Sequence, residues 1–495
     1  MTRGDLAEAA PPARPDEPDP RRWKALAVCL VGGFMVLLDV SIVNVALPSI
    51  RTGLHATESD LQWVISGYTL TFGLLLVPAG RIGDLRGRRG VFVGALAAFA
   101  LASAACGAAP SSGWLVIGRL VQGLAGGTLT PQISATIQQM FSPGQERGKA
   151  FGLFGAVVGI STAVGPLLGG LLIAGFGDTE GWRAVFYVNV PIGLIAIPLA
   201  WRLLPGADEQ AGTKHHDLDP VGVLLLGIGA VLLLLPFVEE RQWSNAAWLL
   251  VPAAAAVLAG FLFWEVRYTR HGREPVVDLE LFKLRSYTFG SSMITVYFAG
   301  FTPLFFLFTL YLQNGLKYSA LAAGLASTPF ALGSAVSAAF GGRVVTRIGR
   351  PLVALGLTLV VIGFVTSVVA VHLVPDHGTG WATLTPLLVA GIGGGLTIAP
   401  NQALTLSEVP TRRAGTAGGL LQTGQRLGAA IGIAAAGSAF FAVLGSSHSD
   451  YAGAYERGIW VAVCFVAVAL VIALIDITVD RRGRHAIAAG NTEAP

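Results

Sequence analysis

Long apolar runs decide what this chain can become. They lie near 25–47, 61–80, 91–109, 113–135, 150–174, 185–204, 220–238, 246–264, 288–312, 319–341, 351–373, 380–404, 414–443 and 458–478. Each holds about the 20 residues that a helix needs to cross roughly 30 Å of hydrocarbon. Hydrophobic residues make up 53% of the chain and charged ones 13%, with a mean hydropathy of +0.65. No water-soluble fold carries that much apolar surface in uninterrupted runs. The expected class is therefore an all-α integral membrane protein.

A repeat divides the chain in two. Gly80-Arg81-Ile82-Gly83-Asp84-Leu85-Arg86-Gly87-Arg88-Arg89 returns as Gly342-Arg343-Val344-Val345-Thr346-Arg347-Ile348-Gly349-Arg350. Each copy joins two apolar runs, so the chain consists of two related halves, as many transporters do. Asp84 is replaced by Thr346 in the second copy, so the acid has a task that only one half needs. The expected organisation is a disordered cytoplasmic tail (1–22), a six-helix half (23–204), linkers with two inserted helices (205–286), a second six-helix half (287–480) and a cytoplasmic tail (481–495). That makes fourteen transmembrane helices.

Orientation follows from the cations. With both termini inside, only Arg51, Arg183, Arg241, Lys317 and Arg457 fall in outer loops, while Arg119 and Arg426 fall within spans. The remaining Lys and Arg lie on the inner side, as the positive-inside rule predicts. The net charge of +4 therefore reflects topology and gives no reason to expect a nucleic-acid partner. Cys29, Cys106 and Cys464 are far apart, without metal-ligand spacing. The first run carries an acid and lacks a small-residue cleavage site, so it is not a cleavable signal peptide. No phosphate-binding Gly-x-x-x-x-Gly-Lys-Ser/Thr occurs, and no Ser/His/Asp set lies in the spans, which argues against an ATPase or an intramembrane hydrolase.

Several motifs in order carry a family resemblance. Leu38-Asp39-Val40-Ser41-Ile42-Val43-Asn44-Val45-Ala46-Leu47-Pro48 lies in the first run, and residues 80–89 follow the second. Arg119, Gln122 and Gly123 lie in the fourth run, and Gly152, Ser161, Gly165, Pro166, Gly169 and Gly170 in the fifth. Gly181-Trp182-Arg183, Phe186, Asn189, Pro191 and Gly193 open the sixth. In this set and spacing the chain, from about residue 24 to 480, resembles the major facilitator superfamily and, within it, the fourteen-span drug:proton antiporters. Ser41 stands where Thr is common in that group, and Ser161 where a Gly or Ala is usual. The resemblance implies that the face of Gly165 and Pro166 packs on the opposite half and seals against leak; ordinary close packing of small residues is the alternative.

The residues support this on their own chemistry. Asp39 is the only acid deep inside a run, and an ionised carboxylate in hydrocarbon is costly, so it should face the bundle interior and take up a proton readily. The alternative is a structural acid bonded to neighbouring helices. At 1.5 Å per residue, Asp39 lies about 12 Å and Arg119 about 9 Å from the outer helix ends, so the two can share one vestibule. Arg119 then either tunes the proton affinity of Asp39 or braces helix carbonyls. Arg426, in the thirteenth run, could hold an anionic or polar substrate, pair with Asp39, or bond the nearby Gln422. Asp84 and Arg88, with Gly80 beside them, form a candidate gate, in which Asp84 docks at the N-terminus of the helix starting at Pro351 when the cytoplasmic side closes. All eight His residues lie in loops or at span ends.

A substrate cavity is expected near the midplane between the halves, with Met35, Trp63, Tyr68, Tyr297, Phe301, Phe305, Asn401, Gln422 and Arg426 as candidate lining. The function that follows is a proton-driven antiporter exporting lipophilic drugs or antibiotics across the cytoplasmic membrane. Its partners are the lipophilic substrate, protons and the bilayer. It uses the proton-motive force with no bound cofactor or metal, and a single chain suffices as translocator. The rival readings are a dedicated exporter of one metabolite and a non-transporting sensor or scaffold, which would tolerate Asp39→Asn.

Overall fold

Apolar side chains cover the outside of this molecule as well as its interior. In the computed structural model, Leu101, Leu171, Phe263 and Val336 each expose more than 70% of their surface, which suits a protein solvated by lipid. The structure describes residues 20–490 except 178, 207–218, 239–248, 272–274, 276, 278 and 448–449. Among the described residues there is no strand.

The first half contains α1 (Arg22–Leu54), α2 (Glu58–Arg86), α3 (Arg88–Gly107), α4 (Ser112–Met140), α5 (Gln145–Phe176), and the broken pair α6 (Gly181–Tyr187) and α7 (Asn189–Leu203). Next come α8 (Pro220–Val238) and α9 (Leu250–Arg270). The second half contains α10 (Arg285–Leu310), α11 (Ala320–Ile348), α12 (Arg350–Leu373), the pair α13 (Thr379–Ala382) and α14 (Leu384–Thr405), α15 (Ala414–Ser447) and α16 (Tyr451–Gly490). Among the described residues, 12 helical stretches are long and apolar enough to cross a membrane. The expected fourteen is not reached for two reasons. Arg119 and four glutamines lower the hydropathy of α4, and the apolar stretch of α8, Val221–Leu233, is shorter than a span.

Local chemistry sets the helix ends. Thr57 and Asp60 form a reciprocal capping box at α2, and the Ser111 and Ser319 hydroxyls cap α4 and α11. The two copies of the repeat share one backbone device. Gly87 (φ 93°) and Gly349 (φ 70°) turn the chain between consecutive helices in a region that favours glycine. Pro166 lies inside an unbroken α5. A proline removes one backbone bond, which neighbouring helices in a bundle can absorb. The inserted α8 and α9 pack through Val223, Leu225, Leu226 and Phe261 against Val77 of α2 and Leu420 of α15, so they cover a seam between the halves.

Candidate functional site

The core of the candidate site is a closed polar cluster among α1, α2 and α4. Arg119 Nη1 donates to Asp39 Oδ2 at 2.5 Å, and Gln122 Nε2 donates to Asp39 Oδ1 at 2.8 Å. Arg119 Nη1 also reaches Gln122 Oε1 at 2.8 Å, and its Nε donates to the Val64 carbonyl at 3.0 Å. The guanidinium lies 4.2 Å from the Tyr68 ring centre and 5.8 Å from that of Phe186. Asp39 is 0% exposed and Arg119 2% exposed, so the pair is sealed on every side. One turn of α4 separates Arg119 from Gln122, which puts both on the face that meets Asp39. Burying charges this deep is costly unless each is paired and the spare donors are bonded.

The structure thus brings Asp39 and Arg119 together. Gln122, seen in the sequence only as part of a motif, is their third member; its spacing from Arg119 was the available signal. Tyr68, expected in the substrate cavity, is buried beneath Arg119. Met35 is fully buried as well. The amide of Asn401 is used inside the second half: it donates to the Gly290 carbonyl at 3.1 Å and accepts from Arg350 at 3.2 Å and Thr405 at 3.3 Å. Trp63, Phe301, Phe305 and Arg426 are half-buried, while Tyr297 and Gln422 are buried. Tyr297 stacks on Phe301, which meets Phe305 and Phe330 edge-on or tilted. Gln422 and Arg426 make no hydrogen bond to each other among the described residues.

At the arginine-rich end of the bundle, Asp84 crosses between halves. It does not dock on the helix starting at Pro351. Asp84 Oδ1 accepts from Gly415 N at 3.1 Å, and Oδ2 accepts from Thr416 N at 3.0 Å and from the Thr416 hydroxyl at 3.2 Å. These are orphan donors at the start of α15, so the attraction of an anion to a helix N-terminus operates on a different helix from the one expected. Arg88 completes the joint: it pairs with Asp84 at 3.1 Å, and donates to Ala135 O at 2.7 Å and Thr411 O at 2.5 Å. Gly80 permits the approach, since a methyl group there would lie 2.3 Å from the Gly415 carbonyl oxygen.

The second copy of the repeat faces inward to its own half. Arg350, which stands where Arg88 does in the first copy, pairs with Asp476 of α16 at 2.8 Å and donates to Ser286 O at 2.9 Å. Here the acid comes from another helix, so Thr346 has no need to be acidic. Sequence reading missed Asp476 because its partners lie far away along the chain.

The glycine seam of α5 splits its contacts. Gly148, Gly152 and Gly159 meet Gly342, Ala338 and Ala331 of α11 backbone to backbone, across the halves. Gly165 packs within its own half on Ser41 of α1, whose hydroxyl donates to the Ser161 carbonyl at 3.0 Å. Pro166 contacts Gly324 of α11. The expected contact with the opposite half therefore involves Pro166 and the earlier glycines, but not Gly165.

The family whose model matches is described as Major Facilitator Superfamily, over residues 29–433. The chain is 37% identical over 445 residues to a probable actinorhodin transporter of Streptomyces coelicolor, covering 89% of this chain and 75% of that protein. It is 35% identical over 494 residues to the puromycin resistance protein pur8 of Streptomyces alboniger, covering 96% and 94% of the two. It is 34% identical over 454 residues to the cephamycin export protein CmcT of Amycolatopsis lactamdurans, covering 90% and 91%. Among solved structures, the proton:xylose symporter XylE aligns with a TM-score of 0.63 at 16% identity, covering 91% of this chain and 94% of that one. The human organic anion transporter MFSD10 aligns with a TM-score of 0.65 at 15% identity, covering 92% and 100%. At these identities the two structures speak for the fold alone.

Proposed function

Because the chain belongs to the major facilitator superfamily, we propose that this membrane transporter is a proton-coupled antiporter that exports lipophilic drugs or antibiotics by alternating access. We place it with the fourteen-span drug:proton antiporters, with α4 and α8 completing the count and both termini in the cytoplasm. The observation that carries the proposal is the sealed Asp39–Arg119–Gln122 cluster. Its only acid is held by a cation that a rocking of α4 against α1 would withdraw, and losing that cation favours the protonated acid. Proton entry from one side and exit to the other would then accompany the opening of each face in turn. One proton crossing about 100 mV supplies roughly 2.3 kcal/mol, plus about 1.4 per pH unit, enough for a gradient of several hundredfold in a neutral solute. The energy source is the proton-motive force.

The names of the relatives favour one narrower reading, export of a single antibiotic. Acid-loaded inverted vesicles given a panel of dyes and antibiotics separate the two by the number of compounds that respond. Wild-type protein should release protons on addition of substrate, whereas Asp39→Asn should not. Unchanged proton release from Asp39→Asn would refute the coupling role.

A further inference from the structure

The two mid-span arginines have opposite surroundings. Arg119 has a carboxylate, an amide and a carbonyl as partners. Arg426, on α15, makes no hydrogen bond and no ion pair among the described residues; its guanidinium lies 4.5 Å over the Phe72 ring of α2. Arginines elsewhere in the bundle show what the fold supplies when a guanidinium is structural. Arg147 donates to the carbonyls of Phe141 at 3.0 Å and Gln138 at 3.1 Å, and Arg350 has Asp476 at 2.8 Å. Arg426 has neither kind of partner.

Its position adds to the contrast. Gly419, two turns earlier on α15, is pressed against α2, where a methyl group would lie 2.3 Å from the Leu76 carbonyl oxygen. Arg426 is half-buried just beyond this closed contact, and Phe72 belongs to the opposite half. A ring face attracts the cation but bonds none of its five N–H donors, so the fork stays free for another ligand. The Asp39 carboxylate is already engaged by Arg119 at 2.5 Å. Holding a cation at this depth without a counter-charge is expensive, which marks the position as functional.

We infer that Arg426 is an anion-recognising residue of the transport pathway, and that the preferred substrates are lipophilic monoanions. A carboxylate, sulfonate or ionised phenol would take the guanidinium fork, with Phe72 against the adjoining apolar frame. This names the substrate class of the proposed exporter and so rests on that reading for the route, but the charge preference can be tested apart from it.

The test uses a pair of probes sharing one aromatic frame, 8-anilinonaphthalene-1-sulfonate and the neutral N-phenyl-1-naphthylamine, with ethidium as a cation. Purified full-length protein in detergent is titrated with each, and affinities are read from the rise in melting temperature. Wild type should favour the anion over the neutral probe by about tenfold or more and bind ethidium weakest. Arg426→Gln should abolish that ratio, and Arg426→Lys should keep most of it. A wild-type ratio near one, or a ratio unchanged in a folded Arg426→Gln, overturns the inference. If Arg426→Gln fails to fold, the wild-type ratio and Arg426→Lys still decide. Failure of the antiporter reading would look different: anion preference would persist while substrate released no protons from wild-type vesicles.

Discussion

At the residue scale, the molecule turns on how a lone acid is kept in a membrane interior. Asp39 takes hydrogen bonds from both Arg119 and Gln122, and Arg119 spends its remaining reach on a carbonyl and an aromatic face. Removing one member of such a pair leaves an uncompensated buried charge, a loss of about 3–5 kcal/mol, whereas removing both leaves none. Arg119→Met should therefore destabilise the protein more than the double change Asp39→Asn, Arg119→Met does. Thermal unfolding of the purified variants in detergent measures this, and equal losses would mean that the pair is not coupled. The first and fourth motifs already pointed to Asp39 and Arg119 as neighbours at one depth. The part of Gln122 emerged only when α4 was seen to turn it towards the same carboxylate.

At the element scale, the arginine-rich ends of α2 and α15 form a joint made of one carboxylate and two glycines. An anion at a helix N-terminus contributes about 0.3–1 kcal/mol, and more when partly buried. Asp84→Asn should shift the halves towards opening at that end by about threefold or more, as read from electron-spin distances between labels at Gln145 and Thr346. Gly342→Leu should open it further, because the first added carbon already meets the Gly148 carbonyl oxygen at 2.3 Å. Unaltered distances in both variants would show that this contact does not hold the end closed. The pairing of Asp84 with a helix N-terminus follows from charge, but the choice of α15 over α12 depends on which helix the two halves press against α2. Nothing along the chain encodes that choice locally.

At the scale of the whole molecule, the proposed fourteen crossings make a specific demand on the connection that follows α8. A reporter inserted between Val238 and Leu249 should lie on the opposite side of the membrane from reporters on the two tails if α8 spans it. A reporter on the same side would reduce the count to twelve. The apolar runs and the family motifs were enough to determine a helical membrane transporter, and the repeat of residues 80–89 at 342–350 to suggest two halves, because hydrophobic length and duplicated loops are properties of the linear chain. The tertiary structure alone decided how the repeats diverged. Asp84 and Arg88 bind across to α15, while Arg350 turns to Asp476 within its own half. It likewise buried Tyr68 beneath Arg119, tied the Asn401 amide into the second half, and left Arg426 without a counter-charge among the described residues. Pairing of charges is settled by which helix faces meet in space, and in a bundle those faces come from segments hundreds of residues apart.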